Sequence, residues 1–158
     1  PHHEEFIECL PMPVIAGKRQ VYDLVRMAPI VKEWFGNSFV ILEQQQAFPK
    51  QGSVSNFTTG FGYGAWRALL AANKIPYQEV RPLVWKKALG LAGIAKEDRK
   101  AKSIQKAQQL FPSVDLRPME QSPKARVPSH NKAEALLLAY YGRMTWQRSS
   151  ETISGPST

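Results

Sequence analysis

A single cysteine, Cys9, is the only thiol among 158 residues. No intramolecular disulfide framework can form, and a reducing, intracellular compartment is the expectation. Long apolar runs are also missing. None approaches the ~20 residues that a membrane-spanning helix needs. There is no Gly-x-Ser-x-Gly elbow, no cysteine pair at zinc spacing and no dinucleotide-type glycine pattern, so those chemistries have no foothold here. The opening Pro1-His2-His3-Glu4-Glu5 has neither a basic start nor an apolar stretch, unlike a secretory signal, and carries no initiating Met. A fragment or processed form is the expectation.

Acidic residues are scarce. Lys and Arg total 21 against 13 Asp and Glu, a net charge of +8. The excess is local. Residues 80–106 hold eight basic side chains (Arg81, Lys86, Lys87, Lys96, Arg99, Lys100, Lys102 and Lys106) and two acidic ones (Glu97 and Asp98), a net +6. A field of that density favours a polyanion, most simply nucleic acid, although a merely soluble basic surface has the same composition.

The apolar spacing orders the elements. Residues 6–15 read as an extended segment interrupted by prolines, and 17–20 as a turn. Residues 21–35 follow helical spacing, with Pro29 expected to kink or divide the helix and Gly36-Asn37 to end it. The run 38–44, apolar and rich in branched residues up to Glu43, predicts a buried strand. A loop over 45–56 leads to a helix over 57–73, then a short strand over 75–80 and a short helix over 82–91. Residues 97–111 form a basic amphipathic helix with Ile104, Ala107 and Phe111 as its apolar stripe. Four prolines make 112–129 a loop. A last helix over 131–142 has Asn131 as N-cap and Gly142 as stop, and 147–158 reads as a disordered tail. Alternating strands and helices predict an α/β sheet with helices on its faces, in one domain spanning 1–146.

Four groups of residues could carry chemistry. Glu43 ends the most apolar strand, where ligands of open α/β sheets gather; it equally fits a strand-end acid facing water. His130 and Glu134 are four apart and share a helix face. Both can ligate Mg²⁺ or Mn²⁺, or can be a surface histidine and a helix-start charge. In Gly60-Phe61-Gly62-Tyr63-Gly64 the glycines permit close approach, and Phe61 and Tyr63 could stack on bases or fill the core. Trp85-Lys86-Lys87 with Lys100 and Lys102 could neutralise phosphates or form a solvated face.

In order, Val40-Ile41-Leu42-Glu43-Gln44, the 60–64 stretch with Trp66, Val80-Arg81-Pro82 with Trp85-Lys86-Lys87, the run from Ala107 to Pro112, and Lys132 to Leu137 with Tyr141-Gly142 resemble the RuvC-type Holliday junction resolvases. The branch found in plastids and some phage and bacterial genomes is the most similar. These stretches span residues 40–142. The resemblance implies an RNase H-like fold with a central mixed sheet flanked by helices. It implies a homodimer, two Mg²⁺ or Mn²⁺ ions per site, and symmetric nicking of four-way DNA junctions in recombination and repair. Glu43, His130 and Glu134 then match metal positions, and Lys86 a lysine beside the scissile phosphate. Phe61, Tyr63, Arg81, Lys86, Lys87, Lys100 and Lys102 would contact DNA. A nucleoid-associated location follows, in a bacterial cytoplasm or a plastid. Nothing in the sequence matches the family's first-strand Asp. The expectation is therefore a chain whose first strand lies upstream of Pro1, or a non-catalytic relative that binds branched DNA.

Overall fold

The computed structural model describes residues 9–15, 21–34, 38–47, 49–118 and 127–153. The architecture is mixed α/β with two small sheets and five helices among these residues. The chain divides into two compact units. Residues 12–82 form one; the described residues from 83 onward, with 9–11, form the other. A single domain over 1–146 was the expectation.

The first unit begins with β1 (Val14–Ile15) and β2 (Val21–Tyr22), an antiparallel pair with Val14 opposite Tyr22 and Ile15 opposite Val21. Of the described part of the expected extended segment, residues 9–15, only the last two form a strand. Val21 and Tyr22, expected to be helical, are extended because a branched and an aromatic side chain find a cross-strand partner there. The turn at 17–20, residues 6–8 and the helix stop at Gly36-Asn37 lie outside the described residues.

Asp23 then caps α1 (Leu24–Glu33), its Oδ1 accepting from the Arg26 N–H at 3.1 Å. Pro29 lies within α1 and does not divide it, although it withholds one amide from the helical ladder. β3 (Val40–Glu43) pairs in parallel with β4 (Tyr77–Val80), Val40 opposite Tyr77 and Glu43 opposite Val80. The Gln44 N–H extends the ladder to the Val80 carbonyl at 2.9 Å. The expected single central sheet is not formed among the described residues, where β1–β2 and β3–β4 are separate. With β4 as its one partner among the described residues, β3 is half-buried along its whole length and not fully buried as expected.

Between these strands runs α2 (Ser53–Ala72), starting earlier than its apolar pattern suggests. Side chains hold the extra turn. Gln51 Nε2 donates to Ser55 Oγ at 2.6 Å, and Asn56 Nδ2 to the Gln51 carbonyl at 3.1 Å. The inner face of α2 buries Leu70 with Val31 of α1 and Ile75, ringed by Trp34, Val40, Trp66, Leu69 and Tyr77. The Trp34 and Trp66 rings stack at 6.3 Å.

Gly62 is buried on this face, and a Cβ there would overlap the Tyr22 ring. Gly62→Ala therefore sets two effects against each other. Alanine favours the helix by about 1 kcal/mol, whereas forcing an aromatic ring out of a packed site costs about 1–3 kcal/mol. A net loss of about 1 kcal/mol is expected in chemical denaturation. An unchanged midpoint would show that Tyr22 moves freely.

The second unit holds α3 (Pro82–Ala88, whose first residue belongs to the other unit), α4 (Arg99–Leu110) and α5 (His130–Ile153). Buried Ser103 and Ala107 of α4 lie on the helix that packs on α5, whose Ala133, Leu136, Leu137 and Tyr141 are buried. Phe111 meets Tyr140 edge-on at 5.6 Å. Ser129, and not Asn131, serves the start of α5: its carbonyl accepts from Ala133 N–H at 3.1 Å. Gly142 does not stop the helix. It is buried inside α5, which continues through 147–153, part of the expected disordered tail. Residues 154–158 lie outside the described residues.

Candidate nucleic-acid interface

Three helices of the second unit converge on Glu134. It sits in the second turn of α5, one turn after His130, which opens the helix and is half-buried. Glu134 Oε1 accepts from Lys86 Nζ of α3 at 2.8 Å and from Ser103 Oγ of α4 at 3.2 Å. The Lys86 and Glu134 side chains are 28% and 27% exposed, and Ser103 is 3% exposed. The Lys86 ammonium also lies 5.1 Å from the centroid of the Trp85 ring, whose residue is fully buried, within reach of a cation–π contact. Lys86 and Glu134, two expected site residues, are thus brought together. Ser103 was missed.

This donor set does not fit a divalent ion. The Lys86 ammonium already stands against Glu134 Oε1 and supplies the positive charge that a metal would. Among the described residues, no three side chains of His, Cys, Asp or Glu form a group able to hold a metal ion. Glu43, in the other unit, is the last residue of β3 and half-buried, with Gln45 Nε2 donating to its Oε1 at 3.3 Å.

Around the Glu134 cluster the unit is basic. Lys87 of α3 and Arg99, Lys100 and Lys102 of α4 are exposed, as is Lys96 just before α4. Arg81, also exposed, follows β4 in the first unit. Exposed ammonium groups on a helix face are the groups that neutralise phosphates.

A loop brace stands at the other side of α5. The Arg117 guanidinium forks onto Asp115, with Nε at 2.9 Å from Oδ1 and Nη2 at 2.7 Å from Oδ2. That pairing, first through the side-chain bonds, holds the Asp115 carboxyl down at about 2. Lys132 Nζ donates to the Arg117 carbonyl at 2.8 Å, tying the loop to α5.

In the first unit the two aromatics of the glycine-rich stretch part company. Tyr63 donates its hydroxyl to Glu79 Oε2 of β4, and Arg67 Nε meets the other carboxylate oxygen at 2.7 Å. The Tyr63 hydroxyl is therefore engaged with β4. Burial first, then the Glu79 hydrogen bond and charge, push its phenol up to about 12. The raised value means the neutral phenol is preferred in the folded state, so its stabilisation is complete below pH 10 and disappears as pH rises through 12. A UV titration should show one tyrosine ionising near the top of that window, a step that Tyr63→Phe removes; an unchanged titration would contradict the bond.

Phe61 instead stacks between Tyr22, at 6.2 Å, and Phe57, at 6.4 Å, on the outside of α2. Val54, Phe57, Phe61, Gly64, Ala68 and Ala71 follow a 3–4 spacing, and all six are exposed. Gly62 and Ala65, by contrast, are buried and half-buried on the inner side.

No family model matches the chain and no curated protein sequence does. Among solved structures it is similar to the RuvC structure of Thermus thermophilus, with 22% identity and a TM-score of 0.49 over 80% of this chain and 77% of that one. Among the described residues no helix is long and apolar enough to cross a membrane.

Proposed function

We propose that this chain is a DNA-binding protein of the RuvC nuclease type, RNase H-like in fold and directed at four-way junctions. The observation that carries the reading is the exposed basic face of α3 and α4, with Lys87, Lys100 and Lys102, beside the Lys86–Glu134–Ser103 cluster. The ordered sequence resemblance over 40–142 supports the family. Lys86, Lys87, Lys100 and Lys102 contact phosphates, with Arg81 as a further contact. The activity this family implies is symmetric nicking that depends on Mg²⁺ or Mn²⁺.

A second reading, a junction binder without cleavage, is favoured by one observation: Lys86 stands where a cation would sit on Glu134. Incubating a labelled junction with the chain and Mg²⁺ or Mn²⁺ separates the two. Paired nicks in opposing strands support the nuclease. A retarded but intact junction supports the binder. No retardation contradicts both.

The outer stripe of α2 supports a homodimer. Its N-terminal half is bulky (Val54, Phe57, Phe61) and its C-terminal half small (Gly64, Ala68, Ala71). Two antiparallel copies would set large against small, a self-complementary twofold contact. Phe61→Glu places a charge in that seam and should weaken self-association at least about tenfold, read by sedimentation. A monomer for the unaltered chain at tens of micromolar would overturn the dimer. Phe61→Leu keeps an apolar side chain in the seam and should weaken self-association far less than Phe61→Glu.

A further inference from the structure

The two sides of helix α3 differ sharply. Trp85 is fully buried, and Leu89, just past the helix end, is 7% exposed. At about 100° per residue, the opposite side carries Leu83, Lys87, Val84 and Ala88, in that order around the axis. All four are exposed, Leu83 at 69% and Val84 at 49%. Lys87 thus stands between two large apolar side chains. The helix that presents them is anchored from behind by the buried Trp85 and by the Lys86–Glu134 bond to α5. Leu91 N–H closes its end onto the Lys86 carbonyl at 2.7 Å. Single surface leucines are ordinary. Here an adjacent apolar pair brackets a cation, on the face that the DNA-binding reading turns towards phosphate.

The chemistry of this face selects its ligand. Lys87 can meet a phosphate, but a phosphate offers nothing to Leu83 and Val84. The broad apolar surfaces of DNA are its base faces, and in a linear duplex these are stacked. Proteins reach them by pressing an apolar side chain, leucine among them, between base steps, at the cost of unstacking. That cost is least where pairing and stacking are already interrupted. At a four-way junction the arms part at the crossover, and the base faces beside it are the most accessible.

We propose that Leu83, with Val84 beside it, is an apolar wedge that covers a base face at the branch point of a four-way junction, while Lys87 holds a neighbouring phosphate. This rests on the DNA-binding reading above and gives it a source of preference for branched over linear DNA.

The test compares binding of the full chain to a junction and to linear duplex of the same arm sequence, with a fluorescent adenine analogue beside the crossover. The unaltered chain should prefer the junction at least about tenfold, and the analogue should brighten as it unstacks. Leu83→Gln with Val84→Gln keeps the charge and suits an exposed helix, so the melting midpoint should hold. It should cut the preference below about threefold and abolish the brightening, because the apolar contact is gone. Duplex affinity and its salt slope should change by less than about twofold. Lys87→Gln should instead weaken junction and duplex alike. A preference or a brightening that survives the double change overturns the proposal, as does DNA binding by the unaltered chain without brightening. Lost self-association with an intact preference would make the pair a protein contact and overturn it too. A chain that binds no DNA overturns this proposal together with the reading it rests on, an outcome distinct from the others.

Discussion

Replacing Lys100 and Lys102 together by glutamine is expected to lower junction affinity about a hundredfold at low salt. Both side chains are exposed on α4: Lys102 lies off the face that buries Ser103 and Ala107, and Lys100 lies in the first turn, before that face becomes buried. Neither is needed to hold the helix against α5, so the fold should survive. A hydrogen bond to a charged group contributes about 1.5–3 kcal/mol, and about tenfold per lysine is the conservative end of that range. Two phosphate contacts fewer should also flatten the dependence of log K on log salt by about two. Binding measured by fluorescence anisotropy across a salt series checks both numbers. Loss of affinity without a change in slope would mean that these lysines act on something other than phosphate.

The second large effect is on stability. Lys86→Met removes the ammonium and leaves Glu134 Oε1 with Ser103 as its recorded donor. Breaking a fully buried pair costs about 3–5 kcal/mol, whereas an exposed pair is worth about 0–1 kcal/mol. With about a quarter of each side chain exposed (28% and 27%), an intermediate loss of about 2 kcal/mol is expected. For a chain of this size that lowers the melting midpoint by about 4–8 °C. Glu134→Leu alone should cost at least as much, since it strands both Lys86 and the buried Ser103 hydroxyl. The double change Lys86→Met with Glu134→Leu should recover most of the loss, because apolar replacements of similar volume no longer bury a lone charge. If the two losses simply add, the pair does not join α3 to α5. Ser103→Ala should cost about 1 kcal/mol, one hydrogen bond.

Much of the element order was legible because period and composition are local signals. The 3–4 spacing located α2, α4 and α5, and the apolar run 38–44 located β3. The failures have physical reasons. Val21 and Tyr22 fit a helical stripe as well as a strand, and only the partners Val14 and Ile15 decide. Gly142 has the residue type of a helix stop, but buried inside α5 it serves packing. Pro29 has the type of a breaker, yet α1 continues through it. The Lys86–Glu134 contact joins residues 48 apart on different helices, a separation no spacing rule reaches. Ser103 did leave a trace. It lies four residues before Ala107, on the apolar side of a basic helix, where a lone hydroxyl needs a partner.

The central claim is preference for branched DNA, and competition binding tests it most directly. A labelled four-way junction bound to the full chain at moderate salt is challenged with unlabelled junction or with linear duplex of the same arm sequence. The account predicts that unlabelled junction displaces the label at least about tenfold more effectively than duplex, on a per-base-pair basis, and that raised salt weakens both complexes steeply. Equal displacement by junction and duplex would contradict it.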